Sequence, residues 1–337
     1  MPVAHHPFGE LEDRRAVTAV TLSNATLEVT VLTLGATLHR LLTPDRHGVA
    51  DDILLGHDTL DDHVAGTEYF GVTAGRYANR IAGAQFDLDG EIVHLDANDG
   101  LHHLHGGHVG LSRMVWTLVA TAENPPSLRL AVVSPDGSGG YPGTLRVTAD
   151  FVLDGAALTI TYRATSDRPT VAGLTSHGYF NLAGMHATAS GLDQRLTLFA
   201  DDWTPRGEGL IPTGTIEPVD GTALDFRTPR AIASPDIDDN VVVRGPAGVL
   251  RSAARLESEA AGRFVEIAAT APGLQVYTGG YLGGVTGKAG RVYRAGDGIC
   301  LEPQFFPDSP NQPQFPSARL DPGETLEQVI RYRFGTC

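Results

Sequence analysis

The feature that most constrains this chain is a period of two in its hydrophobic residues, interrupted by tight-turn dipeptides. Residues 27–31 alternate apolar and polar side chains, which is typical of a strand with one buried face. The same alternation flanks Asp89-Gly90 within residues 86–95 and Asp154-Gly155 within residues 145–162. Asp-Gly between two alternating runs is a strong short-range signal of a β-hairpin. The pattern therefore predicts antiparallel strands joined by short turns.

Helical periodicity is scarce in this sequence. Only two short segments, residues 58–64 and 229–234, fit a helix. Strands at short spacing, separated by turns of glycine, proline and aspartate, indicate an all-β sandwich or barrel. All-β domains often exceed the usual domain length, and neither a linker nor an internal repeat divides the chain. We therefore expect a single domain over residues 1–337.

The charge balance excludes several kinds of partner. The 337 residues hold 25 Lys and Arg against 40 Asp and Glu, a formal net charge of −15. Such an acidic chain repels phosphate backbones, so we expect no nucleic-acid partner. No apolar run reaches the roughly 18 residues that cross a bilayer, so we expect no membrane association. The first residues do not resemble a secretion signal, and two cysteines make no disulfide framework, which predicts a cytoplasmic protein.

The chain contains one lysine, Lys288. An enzyme that forms a Schiff base would have to use it. The segment around it also resembles a phosphate-binding loop, but Leu282 and Ala289 stand where that motif needs Gly and Ser or Thr. The phosphate-loop interpretation therefore fails.

Four histidines, at positions 102, 103, 105 and 108, fall within seven residues. On a strand His103 and His105 would share a face, a spacing that suits a metal. Such metal sites usually add a carboxylate a few residues later, and residues 106–112 contain none, so the metal interpretation is the weaker one. We expect His102 and His108 to be exposed turn residues. His105 precedes paired glycines, which allow the backbone to approach a ligand closely, and we expect it in a pocket.

Residues 75–83 carry two arginines four positions apart, a spacing that also fits a solvated face. We expect Arg76 to be structural. Arg80, beside Asn79, offers a fork of hydrogen-bond donors suited to vicinal hydroxyls.

Two further side chains suit proton transfer. His177 lies in an apolar and aromatic segment, where it fits either a core residue or an acid–base group that works near neutral pH. Glu302 follows Ile299, Cys300 and Leu301 in an apolar strand pattern. Burial there would raise its pKa and suit it to act as a base, although a buried carboxylate paired with an arginine fits the same pattern.

Taken together, these segments resemble the aldose 1-epimerase family, the galactose mutarotases. The matching segments keep the family's order from about residue 25 to residue 334, nearly the whole chain, so the resemblance is highly specific. They are residues 75–81, 104–107, 176–184, 208–214, 272–279, 301–311, 315–317 and 322–324.

The resemblance implies a large antiparallel β-sandwich, often called a supersandwich, that holds a free monosaccharide in an open cleft. It also implies interconversion of the α and β anomers of free aldoses of the glucose and galactose type, without cofactor or metal. Position by position, it assigns the general base to Glu302 and the general acid to His177. The sugar-contacting residues it implies are Arg80, His105, Asp238, Asn79, Tyr179 and Gln275.

Two other functions remain open at this point, a sugar-phosphate epimerase and a non-catalytic sugar-binding module of the same fold. The first would need a basic pocket, and the second would not need an acid–base pair. We expect aromatic cleft walls from Tyr179 or Phe180 and a monomer or homodimer. Ser176, Gly178 and Pro303 depart from residues common in the family, as do Leu101 and Gly280, and these departures bear on which aldose is preferred.

Overall fold

The computed structural model describes residues 1–337 and is built almost entirely from short β-strands. The strands in chain order are β1 (Val3–Glu10), β2 (Ala16–Ser23), β3 (Glu28–Leu32), β4 (Thr37–Pro44), β5 (Ala50–Asp52), β6 (Thr73–Ala74), β7 (Arg80–Ile81), β8 (Gln85–Leu88), β9 (Glu91–His94), β10 (His103–Leu104), β11 (Thr117–Glu123), β12 (Pro126–Ser134), β13 (Leu145–Asp154), β14 (Ala157–Ser166), β15 (Thr170–Val171), β16 (Thr175–Ser176), β17 (Tyr179–Phe180), β18 (Arg195–Leu198), β19 (Ala200–Thr204), β20 (Glu217–Pro218), β21 (Arg230–Ala231), β22 (Asp238–Val243), β23 (Arg251–Glu257), β24 (Arg263–Ala269), β25 (Gly273–Tyr277), β26 (Val285–Thr286), β27 (Val292–Tyr293), β28 (Ile299–Gln304), β29 (Arg319–Leu320) and β30 (Leu326–Thr336).

Helices are few and short. The one α-helix, α1 (Leu60–Ala65), begins after Thr59, whose side chain accepts the amide of Asp62 and caps the first turn. A helix of this length is too short to cross a membrane. The 3₁₀ helices are Ala82–Ala84, Leu111–Arg113, Ser138–Gly140, Gly191–Asp193, Glu208–Leu210, Lys288–Gly290 and Ser309–Asn311.

Three antiparallel sheets account for most of the strands. The largest has nine strands in the order β11-β12-β13-β14-β30-β24-β23-β18-β21. A six-stranded sheet has the order β17-β28-β25-β22-β19-β20, and a five-stranded sheet runs from β1 to β5 in sequence. All three contribute inward-facing side chains to one core cluster, for example Ile160, Leu301 and Val31. The nine-stranded sheet therefore packs against the other two, and the predicted all-β, antiparallel architecture is confirmed.

The turn signals in the sequence locate the hairpins correctly. Asp89 and Gly90 both have positive φ, at 58° and 85°, and join β8 to β9. Gly155, with φ of 54°, lies in the turn between β13 and β14, whose ten-residue strands alternate buried and outward side chains. Turns of this handedness match the right-handed twist of the strands that they connect.

One of the two predicted helices is wrong. Residues 58–64 correspond to α1, but residues 229–234 form no helix. Arg230 and Ala231 instead pair with Leu196 and Arg195 at the edge of the nine-stranded sheet. A two-residue edge strand is too short to show alternation, so its sequence does not distinguish it from a helical turn.

The only lysine and one arginine are structural groups in the interior. The Lys288 ammonium donates to an Asp52 carboxylate oxygen at 2.7 Å and to the Leu54 carbonyl at 3.0 Å, and both charged side chains are buried. The Arg76 guanidinium donates to the carbonyls of Ser134 and Gly143, both at 2.8 Å, as expected for a structural residue. Lys288 is fully engaged, so it is not a free amine for Schiff-base chemistry.

Candidate active site

One face of the six-stranded sheet carries a row of polar side chains although the strands are buried. Residues directly opposite each other on antiparallel strands share a face, as do residues two apart on one strand. Register places Glu302 of β28 opposite Gln275 of β25, and Cys300 opposite Tyr277. Asp238 of β22 lies opposite Tyr277. The intervening residues on the other face, such as Leu301, pack into the core.

Loops above this face add the remaining polar groups. His177 lies between β16 and β17, and its backbone bonds to Val72 and Gly71 hold it there. His105 follows β10 with a positive φ of 51°. Its ring Nδ1 accepts the amide of Asn79 at 3.1 Å, while its own amide donates to the Asn79 carbonyl. The β7–β10 pair therefore fixes His105 against Asn79 and Arg80.

These groups surround a cavity of about 180 Å³. A cavity of this volume can hold one small molecule, and it is smaller than the pockets that usually bind drug-sized ligands. Its fourteen lining residues are Thr67, Glu68, Tyr69, Asn79, Arg80, Leu104, His105, His177, Tyr179, Asp238, Tyr277, Tyr281, Leu282 and Glu302. Every site residue expected from the sequence lies there except Gln275.

A carboxyl group and an imidazole lie in contact in this cavity. The Nε2 of His177 is 3.5 Å from a carboxylate oxygen of Glu302, and both side chains are buried. Burial, followed by the nearby Asp238 carboxylate, raises the pKa of Glu302 well above its ordinary value. Burial lowers the pKa of His177 to about 4. Because both shifts disfavour the charged forms, the pair in the free protein shares one proton that resides mainly on Glu302.

Gln275 lies behind the cavity and supports Asp238. Its amide donates to an Asp238 carboxylate oxygen at 2.7 Å, which aims the other oxygen. Burial raises the pKa of Asp238. Asp239 faces the other way and pairs with Arg206 at 2.6 Å. Across the cavity, Arg80 donates its Nε to Asp99 at 2.7 Å. These contacts fix two groups capable of binding hydroxyls.

The histidine cluster divides into separate roles. His103 is buried between the Asp96 carbonyl, at 2.7 Å, and the Tyr141 hydroxyl, at 2.7 Å, so it belongs to the core. His102 is half-buried rather than exposed, because its ring accepts the amide of Gly83, whereas His108 is exposed as expected.

The paired glycines after His105 serve a different purpose from the one expected. A Cβ added at Gly106 would lie 1.8 Å from the Gly75 carbonyl oxygen. The close approach that requires glycine is therefore between two backbone segments beneath the site, not between backbone and ligand.

His105, His177 and Glu302 also form the one group of three potential metal ligands in the protein, with donor atoms within 4.8 Å of one another. The chemistry of His105 does not fit that use. Its Nδ1 lone pair accepts the Asn79 amide, so the neutral ring carries its proton on Nε2. Neither nitrogen then offers a lone pair to a metal, and Nε2–H is instead a donor.

Several lining residues are not evident from the sequence. Tyr69 lies with its ring centroid 4.8 Å from that of His105 and 6.0 Å from that of His177. It follows no periodic pattern, so only the folded chain reveals it. Tyr277 could have been inferred, because it shares a strand face with Gln275. Of the two aromatic walls expected, Tyr179 lines the cavity, whereas Phe180 packs into the core.

A carboxyl and an imidazole in contact, surrounded by side chains that can hydrogen-bond to hydroxyls, have the chemistry needed for proton transfer on a small polar molecule. Comparison with known proteins identifies the family. Residues 18–333 match the family model described as aldose 1-epimerase. The chain is 40% identical over 336 residues to the galactose mutarotase of Mus musculus, covering 97% of each chain. It is 36% identical over 326 residues to the aldose 1-epimerase of Escherichia coli, covering 93% of each.

Solved structures agree with the sequence comparison. The GalM/aldose epimerase homologue from C. elegans superposes with a TM-score of 0.89 at 31% identity, covering 95% of this chain and 99% of that one. Galactose 1-epimerase from Lactobacillus acidophilus has a TM-score of 0.86 at 27% identity, covering 99% and 98%. The chain belongs to the aldose 1-epimerase family, and its fold is the galactose mutarotase-like β-sandwich.

Proposed function

We propose that this chain interconverts the α and β anomers of free aldoses, with Glu302 as the general base and His177 as the general acid. Membership in the family makes it an isomerase. The observation that carries the residue assignment is the buried contact of 3.5 Å between Glu302 and Nε2 of His177 inside the cavity. Binding alone would not require an acid and a base in contact, which weighs against a non-catalytic module.

The reaction needs two coupled proton transfers. The shared proton first passes from Glu302 to Nε2 of His177. Glu302, now a carboxylate, then takes the proton of the C1 hydroxyl while His177 donates its Nε2 proton to the ring oxygen. The bond between C1 and the ring oxygen breaks, and C1 becomes an aldehyde. Rotation about C1–C2 presents the other face, and ring closure returns both protons. Each transfer is worth about 10² to 10⁴ in rate.

The other cavity groups orient the sugar in this proposal. Asp238, held by Gln275, accepts hydrogen bonds from sugar hydroxyls, and Arg80 donates hydrogen bonds to hydroxyl oxygens. His105 donates through Nε2, a tautomer fixed by the amide of Asn79. Donors already aimed at a developing charge stabilise it without reorganisation. Tyr179 supplies an apolar wall.

The charges of the cavity favour neutral sugars over sugar phosphates. Arg80 is the only arginine or lysine that lines it, and that side chain is paired with Asp99. Three carboxyl groups line the same cavity, those of Glu68, Asp238 and Glu302. The cavity therefore offers no unpaired arginine or lysine to bind a phosphate.

Polarimetry tests the proposed activity directly. Freshly dissolved α-D-glucose and α-D-galactose should reach their equilibrium rotation faster with the protein than in buffer alone. The protein should accelerate the anomer interconversion of glucose 6-phosphate less than that of glucose. If no aldose is accelerated above buffer, the proposed activity is wrong, and a preference for the phosphate would support the sugar-phosphate alternative.

The pH dependence of the rate should report the pair's shared proton. As the pH falls through about 4, where burial has placed the pKa of His177, a second proton binds and no base remains. We therefore expect kcat/KM to stay nearly constant down to about pH 5, and to fall below about pH 4. Polarimetry with the uncatalysed rate subtracted at each pH measures this. A decline centred near 6.5, the ordinary pKa of histidine, would contradict the account.

We further propose that residues 1–337 form one domain, because the three sheets share one core cluster. The two cysteines are free thiols, which supports a cytoplasmic location. For the oligomeric state, a monomer or a homodimer remains our prediction.

A further inference from the structure

The imidazole of His177 bridges two side chains of a single strand. Cys300 and Glu302 lie two residues apart on β28 and therefore share the face beneath the cavity. The Cys300 sulfur is 3.6 Å from Nδ1 of His177, and the Glu302 oxygen is 3.5 Å from Nε2. Cys300 is the only side chain within hydrogen-bonding distance of Nδ1.

The proton balance of the reaction distinguishes the two ring nitrogens. Nε2 gives its proton to the ring oxygen on opening and recovers it on closure, so it alternates between N–H and a bare lone pair. Nδ1 must keep its proton throughout, since only then is the ring an imidazolium before opening and a neutral imidazole with a free Nε2 afterwards. A stationary N–H inside a buried site requires an acceptor.

We propose that Cys300 is a positioning residue whose sulfur accepts the Nδ1–H of His177 in both states of the reaction. The inference deepens the proposed function and rests on the roles assigned there to His177 and Glu302. The sulfur fixes the ring orientation and the tautomer, so that Nε2 faces Glu302 and the sugar.

A thiol suits this position because it is a weak and uncharged acceptor. Burial, with Glu302 as the next cause, raises the pKa of Cys300 well above its ordinary value, so the thiol keeps its proton. A carboxylate in the same place would stabilise the imidazolium and make it a weaker acid. The sulfur orients His177 without that cost to its acidity.

The surroundings of His177 leave Cys300 as the group that controls Nδ1. The nearest other rings, those of Tyr179 and His105, have centroids 5.1 Å and 5.2 Å away. The titratable groups that face His177 are Tyr69, His105, Tyr179, Tyr277, Cys300 and Glu302, with Arg80 and Asp238 across the cavity. A change at Cys300 therefore alters the Nδ1 contact first.

Two substitutions at Cys300 separate the hydrogen bond from packing. Cys300→Ala removes the acceptor, and we expect kcat to fall about tenfold with KM nearly unchanged, the effect of one lost hydrogen bond. The fall of kcat/KM at acid pH should move to lower pH in this variant, because the His177 imidazolium loses its hydrogen-bond acceptor.

Cys300→Ser restores an acceptor, so kcat should recover. In Cys300→Ser the fall of kcat/KM at acid pH should move to higher pH, because a hydroxyl oxygen is a stronger hydrogen-bond acceptor than sulfur. Cys337→Ala, at the exposed second cysteine, is the matched control and should change neither quantity.

Nitrogen-15 NMR of the wild-type protein reads the tautomer independently of any variant. At a pH above the fall in kcat/KM, we expect neutral His177 to carry its proton on Nδ1. A wild-type rate and pH profile for Cys300→Ala would overturn the proposal, as would a Cys300→Ser variant as slow as Cys300→Ala. If Cys300→Ala fails to fold, an Nε2–H tautomer in the wild type overturns it. A fully active Glu302→Gln variant would instead show that the proposed role of Glu302, on which this inference rests, is wrong.

Discussion

Replacing Glu302 by Gln is expected to lower kcat for anomer interconversion by about 10² to 10⁴, while the sugar still binds. The amide has nearly the same shape as the carboxyl group, so the cavity keeps its form. It cannot take the C1 hydroxyl proton, and His177 then has no partner that returns a proton on ring closure. Because the lost interaction forms only in the transition state, KM should change little.

Polarimetry over a range of sugar concentrations separates kcat from KM for this variant. Glu327→Gln is a suitable control, because it makes the same chemical change on the outward face of β30, where Glu327 pairs with Arg163 at 2.8 Å. The control should match the wild type. A Glu302→Gln variant with wild-type kcat would show that Glu302 is not the base.

The largest loss of stability is expected for Lys288→Met. The substitution leaves the Asp52 carboxylate, buried and bonded to Lys288 at 2.7 Å, without its counter-charge. Breaking a buried ion pair from one side costs about 3–5 kcal/mol, since the remaining charge is desolvated and unpaired. The free energy of unfolding, measured by urea denaturation, should fall by that amount.

A double variant identifies the unpaired charge as the cause. Asp52→Asn keeps the side-chain oxygen that accepts the amides of Leu41 and Leu54, both at 3.1 Å, but removes the charge. We expect Asp52→Asn/Lys288→Met to be more stable than Lys288→Met alone. Equal destabilisation of the two variants would indicate that lost packing, rather than charge, dominates.

Local patterns in the sequence were sufficient for the fold class. Alternation over residues 145–162 and the Asp-Gly turns specify hairpins by short-range rules, and the structure forms them. The failure at residues 229–234 has the opposite cause. Arg230 and Ala231 are strand residues only because β18 lies beside them, and pairing between segments over thirty residues apart leaves no local trace.

The family resemblance was sufficient to predict most of the site residues. It was less useful where the three-dimensional arrangement of the strands determines which side chains reach the cavity. Seven of the eight expected site residues line the cavity, and their roles remain predictions until the variants are tested. Gln275 lies behind Asp238 because strand register determines which side chain reaches the cavity. Tyr69 and the contact of Cys300 with His177 join segments distant in sequence, so no spacing rule reveals them.

The central claim is that Glu302 and His177 act as one unit that shares a proton. A double-mutant cycle with Glu302→Gln, His177→Asn and both together tests it in a single set of polarimetric rate constants. If the two residues act as a unit, the double variant should be no slower than the slower single variant. If the two losses instead multiply, the residues act independently, and the shared-proton account is contradicted.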